Sequence, residues 1–221
     1  MQFRKVTSAG PVVEYLTTII NEALDADKKV FWLLSGGSAI AVAVDTAKHI
    51  KIQPGSQLVV SLIDERYGVV GHDDSNWKQL MDSGFSLPGA TLVPVLSGES
   101  FDATVANFAD SLKNELSDAD YSLVLLGIGP DGHTSGILPH SPAVEAKGLT
   151  FGYEWEQYMR ITTTQHAIAL LDEIVVYALG KNKWPVIDNL AKDLPVAEQP
   201  AQLLKPLRKV TVFNDREGEP S

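Results

Sequence analysis

The stretch from Tyr121 to Ser141, YSLVLLGIGPDGHTSGILPHS, constrains the possible folds more than any other part of this chain. Leu123, Val124, Leu125 and Leu126 are apolar on consecutive residues, the pattern of a strand buried on both faces, as in a parallel sheet covered by helices. The run breaks at Gly127. Glycines at 127, 129 and 132 and a proline at 130 forbid a regular continuation, and the turn holds Asp131, His133, Thr134 and Ser135. A buried strand thus delivers ionisable groups to a rim.

The spacing Gly127-x-Gly129-x-x-Gly132 is formally the dinucleotide fingerprint, but the context argues against it. That motif needs a helix opening at its third glycine, with free N–H groups that hold a pyrophosphate. Pro139 and Pro142 leave room for no more than about two helical turns, and Pro130 removes one N–H from the turn. No nicotinamide or flavin cofactor is expected.

The remaining strands and helices alternate. Residues 2 to 6 read as a short edge strand, and Pro11 begins an amphipathic helix through Val12, Leu16, Ile19 and Ala23 to about Asp25. Val30 to Leu34 is a buried strand that ends in Ser35-Gly36-Gly37-Ser38, with a helix from Ala39 to Ile50 that Ser38 is placed to cap. A strand, glycine turn and helix in this order make an anion site, because uncovered N–H groups converge where glycine lets a ligand approach. After a turn at Pro54-Gly55, Gln57 to Ile63 is a further buried strand, ending directly in Asp64-Glu65-Arg66. Three charges at a strand end are read as rim groups, and Ser75 or Asp74 as the cap of the next helix. A strand over Thr91 to Val95 precedes a helix whose stripe is Phe101, Val105, Phe108, Leu112 and Leu116. Thr150 to Tyr158 is aromatic and irregular and carries no assigned element; Trp155 and Tyr158 are read as packing residues, with a lid as the alternative. Met159 to Thr164 is strand-like and includes Arg160. Glu173 to Leu179 is a buried strand ending in Gly180-Lys181-Asn182-Lys183 ahead of a helix to about Leu190. A proline-punctuated loop and a strand over Lys209 to Phe213 follow.

This alternation predicts an α/β fold with a doubly wound, mostly parallel sheet and helices on both faces. A length of 221 residues suits one domain over residues 1–221, with residues 216–221 a frayed tail. With 44% hydrophobic and 21% charged residues and no long apolar run or signal-peptide pattern, the expectation is a cytoplasmic protein without a membrane partner. A net charge of −10 argues against nucleic acid, and it means that a phosphorylated ligand needs a local cluster of cations. The absence of cysteine removes thiolate chemistry and disulfides. His72, Asp73 and Asp74, even with His133 and His140, lack metal-ligand spacing, so no metal site is expected.

Gly127 to Pro139 resembles, residue for residue, the G-x-G-x-D-G-H-T-x-S/G-x-x-P signature of 6-phosphogluconolactonases. D-E-R at 64–66 with D-S-N at 74–76, R-I-T-x-T from Arg160 and G-x-x-K from Gly180 to Lys183 resemble further blocks of that family. The resemblance covers nearly the whole chain. It implies the Rossmann-like fold shared by the glucosamine-6-phosphate deaminases and ribose-5-phosphate isomerases. It implies hydrolysis of 6-phospho-D-glucono-1,5-lactone to 6-phosphogluconate in the oxidative pentose phosphate pathway, without metal or cofactor. Phosphate contacts pass by the same resemblance to Ser35, Gly36, Gly37, Ser38, Arg160 and Lys183. A monomer or small homo-oligomer fits it.

An aldonolactone is an activated ester, so its hydrolysis needs a positioned water, a base that works near neutrality and positive charge for the oxyanion. A histidine at 133 suits the base role. Arg66 is a candidate for oxyanion stabilisation or for holding substrate, with N–H groups of the 127–132 turn as alternative oxyanion donors; Asp131 is a candidate to orient the site or to bind a sugar hydroxyl, and Asp64 is a candidate hydroxyl ligand. Two rivals share the fold. A glucosamine-6-phosphate deaminase carries a glutamate before the proline of the central motif, where this chain has Leu138. A non-catalytic sugar-phosphate sensor would carry a DNA-binding segment, and no such pattern is visible.

Overall fold

In the computed structural model, residues 1–53 and 57–217 are described. In chain order the elements are β1 (Gln2–Lys5), α1 (Gly10–Asp25), β2 (Val30–Leu34), α2 (Ala39–Ala47), β3 (Leu58–Leu62), β4 (Asp64–Tyr67), α3 (Asn76–Asp82), β5 (Thr91–Val93), α4 (Phe101–Asp118), β6 (Tyr121–Gly127), β7 (Thr150–Trp155), β8 (Tyr158–Thr163), α5 (Gln165–Ile168), β9 (Glu173–Ala178), α6 (Trp184–Asn189) and β10 (Val210–Asn214). Short 3-10 turns occupy Pro142–Glu145, Lys181–Lys183 and Pro200–Leu204. The expected turn at Pro54-Gly55 and residues 218–221 of the expected tail lie outside the described residues. Within that tail, Arg216 Nε donates to Asp188 Oδ1 at 2.8 Å.

Seven strands form one sheet in the order β1-β10-β9-β6-β2-β3-β5, and every pairing in it is parallel. The consecutive apolar residues explain its centre. Leu123 to Leu126 are fully buried, and all five residues of β2 and of β3 are buried; each large aliphatic side chain so removed from water contributes roughly 2 kcal/mol. From β2 the chain winds outward through β3 to β5, then returns to the other side of β2 at β6 and winds through β9 to β10. Right-handed crossovers running in opposite directions put their helices on opposite faces, which is the doubly wound arrangement. The reversal between β2 and β6 opens a crevice at their carboxyl ends.

A second sheet, β4-β8-β7, is antiparallel and was not foreseen from the sequence. Asp64-Glu65-Arg66-Tyr67 has poor strand propensity, yet it pairs in register with β8 because its alternating side chains divide between the crevice and α3. The aromatic stretch at 150–155 becomes the outer strand β7. Among the described residues no helix is long and apolar enough to cross a membrane.

Candidate active site

The two strand ends at the crevice supply the first half of the site. After β2, Ser35 N–H still donates to Leu125 O at 3.0 Å, which binds the start of the Ser35–Ser38 turn to the neighbouring strand. Gly37 has φ +65°, a conformation glycine adopts without strain. Ser38 does not cap α2 through its side chain. Its backbone is already helical, at φ −63° and ψ −18°, whereas a cap requires extended backbone. The hydroxyl instead accepts a hydrogen bond from Lys183 Nζ at 3.2 Å.

After β6 the chain folds tightly on itself. Gly129 N–H donates to His133 O at 2.9 Å, Gly132 N–H donates to Gly129 O at 3.0 Å, and Thr134 Oγ1 donates to Gly127 O at 2.9 Å. This loop presents His133 with its side chain 43% exposed, and Asp131 Oδ1 lies 2.6 Å from His133 Nδ1. A carboxylate only accepts, so Nδ1 carries a proton, and in the neutral ring the lone pair then sits on Nε2. The contact with His133 holds the Asp131 carboxyl below the usual carboxylate range.

Lys183 comes from the turn after β9. It is 9% exposed, and burial pushes its ammonium below the usual lysine value, with Asp215 opposing that shift. Asp215 Oδ1 also accepts from Gly180 N–H at 3.0 Å and from Trp184 Nε1 at 2.9 Å, pinning the turn at both ends. Lys181 is exposed, with Nζ 5.6 Å from the Trp184 ring centroid.

The small sheet supplies the opposite wall. Asp64 and Arg66 of β4 face the crevice, as does Arg160 of β8. Burial pushes the Asp64 carboxyl up, against the charges of Arg66, His133 and Arg160. Glu65 turns the other way, as strand alternation requires. It is 1% exposed and accepts from Arg66 N–H at 2.7 Å, Asn76 N–H at 2.6 Å, Trp77 N–H at 3.1 Å and Ser75 Oγ at 2.9 Å. Only two of the three charges at 64–66 are therefore rim groups. Thr162 Oγ1 donates to Ser135 O, and Tyr153 OH donates to Gly136 O at 2.6 Å, so the same sheet braces the loop that carries His133.

Ser35, Gly36, Gly37, Ser38, Asp64, Arg66, His133, Arg160 and Lys183 line one cavity of about 260 Å³, and Asp131 stands behind His133. The sequence reasoning gave no role to Asn76, which also lines it. Asn76 Nδ2 donates to Asp64 O at 3.0 Å and to Asp64 Oδ2 at 3.3 Å, and its Oδ1 is buried without a partner. A side chain at position 36 would overlap Asn76, which is why the β2 turn has glycine there. The D-S-N triplet was the available signal. His72 braces its loop, with Nε2 2.9 Å from Arg66 O.

The model of the family described as glucosamine-6-phosphate isomerases/6-phosphogluconolactonase matches residues 5–213. A 6-phosphogluconolactonase of Synechocystis sp. is 26% identical over 92% of this chain and 89% of its own length. The crystal structure of a 6-phosphogluconolactonase from Shewanella baltica OS155 superposes with a TM-score of 0.83 at 23% identity, covering 97% of each chain. A monomeric glucosamine-6-phosphate deaminase superposes with a TM-score of 0.81 at 18% identity, covering 98% of each chain. These two structural likenesses establish the fold.

Proposed function

The chain belongs to the glucosamine-6-phosphate isomerase/6-phosphogluconolactonase family, and from that premise we propose that it hydrolyses 6-phospho-D-glucono-1,5-lactone to 6-phosphogluconate, the lactonase step of the oxidative pentose phosphate pathway. One observation carries the reading: a carboxylate-oriented imidazole and a buried ammonium hydrogen-bonded to a glycine-turn hydroxyl line a single cavity.

The proposed reaction needs neither a metal nor a covalent intermediate. His133 Nε2 takes a proton from water as the water oxygen bonds to C1 of the lactone. The carbonyl oxygen becomes an oxyanion, stabilised by Arg66 or by N–H groups of the 127–132 turn. Collapse re-forms the carbonyl and breaks the bond from C1 to the ring oxygen, which receives the proton from His133. The acid so formed loses its proton to solvent. Asp131 keeps His133 in the required tautomer, Asp64 accepts from a sugar hydroxyl, and the Ser35–Ser38 turn, Arg160 and Lys183 hold the phosphate, whose binding energy positions the lactone.

The deaminase alternative loses support at Leu138, which is 8% exposed and belongs to the hydrophobic core, where the deaminase motif needs a carboxylate. A cytoplasmic location and a monomer or small homo-oligomer belong to the same proposal. The test is hydrolysis of fresh 6-phosphogluconolactone against its unphosphorylated counterpart, each corrected for spontaneous opening. The expected result is a strong preference for the phosphorylated lactone. Ammonia release from glucosamine-6-phosphate, or binding of sugar phosphates without turnover, would overturn it.

A further inference from the structure

Arg66 and Arg160 stand directly opposite each other across the β4–β8 pair. Like charges in that position repel and destabilise a sheet. Two features of the structure bear on this. The Tyr158 ring, two residues before Arg160 on the same face of β8, has its centroid 5.1 Å from Arg66 Cζ and 5.2 Å from Arg160 Cζ, so one aromatic ring faces both guanidinium groups. The Nε atoms of both arginines are also buried without a hydrogen-bond partner. Arg66 Nη1 donates to Asp74 O at 3.0 Å, and both arginines line the cavity that also holds the Ser35–Ser38 turn and Lys183, so their guanidinium groups stand where an anion would bind.

We propose that Tyr158 is a positioning residue, its ring holding Arg66 and Arg160 with their donor edges toward the cavity, ready for the phosphorylated substrate. The inference rests on the sugar-phosphate reading above. A planar guanidinium binds an oxyanion well only when its orientation is fixed, and arginine side chains are otherwise rich in rotamers. The face of a tyrosine supplies that constraint without consuming any N–H group. The hydroxyl is not the operative part, because its contact with Asp74 Oδ1 is 3.5 Å, at the limit of a hydrogen bond, and is exposed. Tyr158 is thus more than the packing residue its sequence context suggested.

Binding of inorganic phosphate, measured by calorimetry on the intact chain, tests this without relying on turnover. Tyr158→Leu should weaken phosphate binding about 10-fold, the scale of one to two partly desolvated cation–π contacts, while Tyr158→Phe stays within about two-fold of the parent. In an Arg160→Ala background, Tyr158→Leu should have less than half of that effect on a logarithmic scale, since a residue acting through Arg160 has less left to position. Equal weakening in both backgrounds, or a Phe variant as impaired as Leu, would overturn the proposal. Should Tyr158→Leu fail to fold, fluorinated phenylalanines at position 158 keep the ring's shape while draining its face of negative charge. Phosphate affinity must then fall with each added fluorine, and a flat series rejects the role. Absence of lactone turnover in the parent protein sinks the hydrolase reading alone and leaves the phosphate measurement decisive for Tyr158.

Discussion

Lys183 Nζ donates a hydrogen bond to Ser38 Oγ at 3.2 Å, joining the turn after β9 to the turn after β2 across 145 residues of sequence. The two strands are not neighbours, since β6 lies between them. The bond therefore spans the mouth of the crevice where the winding direction reverses. It holds a cation over the glycine turn in a protein whose net charge is −10.

Replacing Lys183 should separate binding from chemistry. Lys183→Met is expected to raise KM for the phosphorylated lactone roughly 10- to 100-fold with kcat changed less than about three-fold, and to leave the unphosphorylated lactone unaffected. It should also stabilise the unliganded protein. The Lys183 pKa is lowered on folding, so between its folded value and the ordinary lysine value the unfolded chain binds more protons, and stability rises with pH through that window. Below the window the wild-type protein carries the whole cost of a buried charge, which methionine removes. A Tm higher by ~2–4 °C at neutral pH corresponds to about 1 kcal/mol for a chain of this size. A lower Tm together with unchanged KM would contradict both halves.

The Asp131–His133 pair makes a different prediction. His133→Ala should lower kcat by about 10²–10⁴-fold while phosphate still binds, the range for loss of a general base. Asp131→Asn should lower kcat less and should also mark a pH-dependent loss of stability. The folded-state pKa of Asp131 is depressed, so its contribution is fully present above the unfolded aspartate value of about 3.9 and is lost as pH falls through the folded value. Urea midpoints of wild type and Asp131→Asn, compared from neutral pH downward, should converge only in that acid range. A gap independent of pH would mean that the carboxylate charge does not matter.

A matched pair of glycines tests whether the loop is shaped around the imidazole. At Gly129 a methyl group would overlap the His133 ring and come within 2.6 Å of Asp131 Oδ1; at Gly127 it would meet nothing within 4 Å. Gly129→Ala should therefore cost at least about 10²-fold in kcat with phosphate binding retained, and Gly127→Ala less than about three-fold. Equal effects at the two sites would remove the steric explanation.

The parallel sheet could be read from the sequence because fully buried strands need consecutive apolar residues. Runs such as Val30 to Leu34 and Leu123 to Leu126 have few other uses. The rim motifs were legible for the same reason, since a loop that follows a buried strand opens at the carboxyl edge. Of the small sheet only the central strand β8 was legible, as the strand-like run Met159 to Thr164. Asp64 to Tyr67 becomes a strand only because β8 pairs with it and because Glu65 finds its donors across a turn of ten residues; no local propensity encodes that. Asn76 was marked only by its place in the D-S-N triplet, and the role of Tyr158 was hidden because its ring also meets Arg66, far away in sequence.

Glu65 yields the last prediction, one in which folding and site geometry fail together. Its carboxylate accepts from two N–H groups in the first turn of α3 and from the hydroxyl that caps it, and so fixes Asn76 beside Asp64. Burial pushes the Glu65 carboxyl up while those donors pull it down, with burial the larger effect. A carboxylate can serve all these donors, whereas an amide of the same shape turns one acceptor oxygen into an NH₂ that faces them. Glu65→Gln should cost ~3 kcal/mol, the scale of a buried mismatched hydrogen-bond group, and lower Tm by roughly 6–12 °C. Below that Tm the surviving folded protein should bind the lactone more weakly, because Asn76 is displaced from the cavity wall while His133 and Asp131 are untouched. Thermal unfolding followed by steady-state kinetics at 15 °C below the variant's midpoint separates the two effects. A Tm within about 2 °C of wild type would mean that the four contacts to Glu65 contribute little, and that α3 is positioned by its apolar face alone.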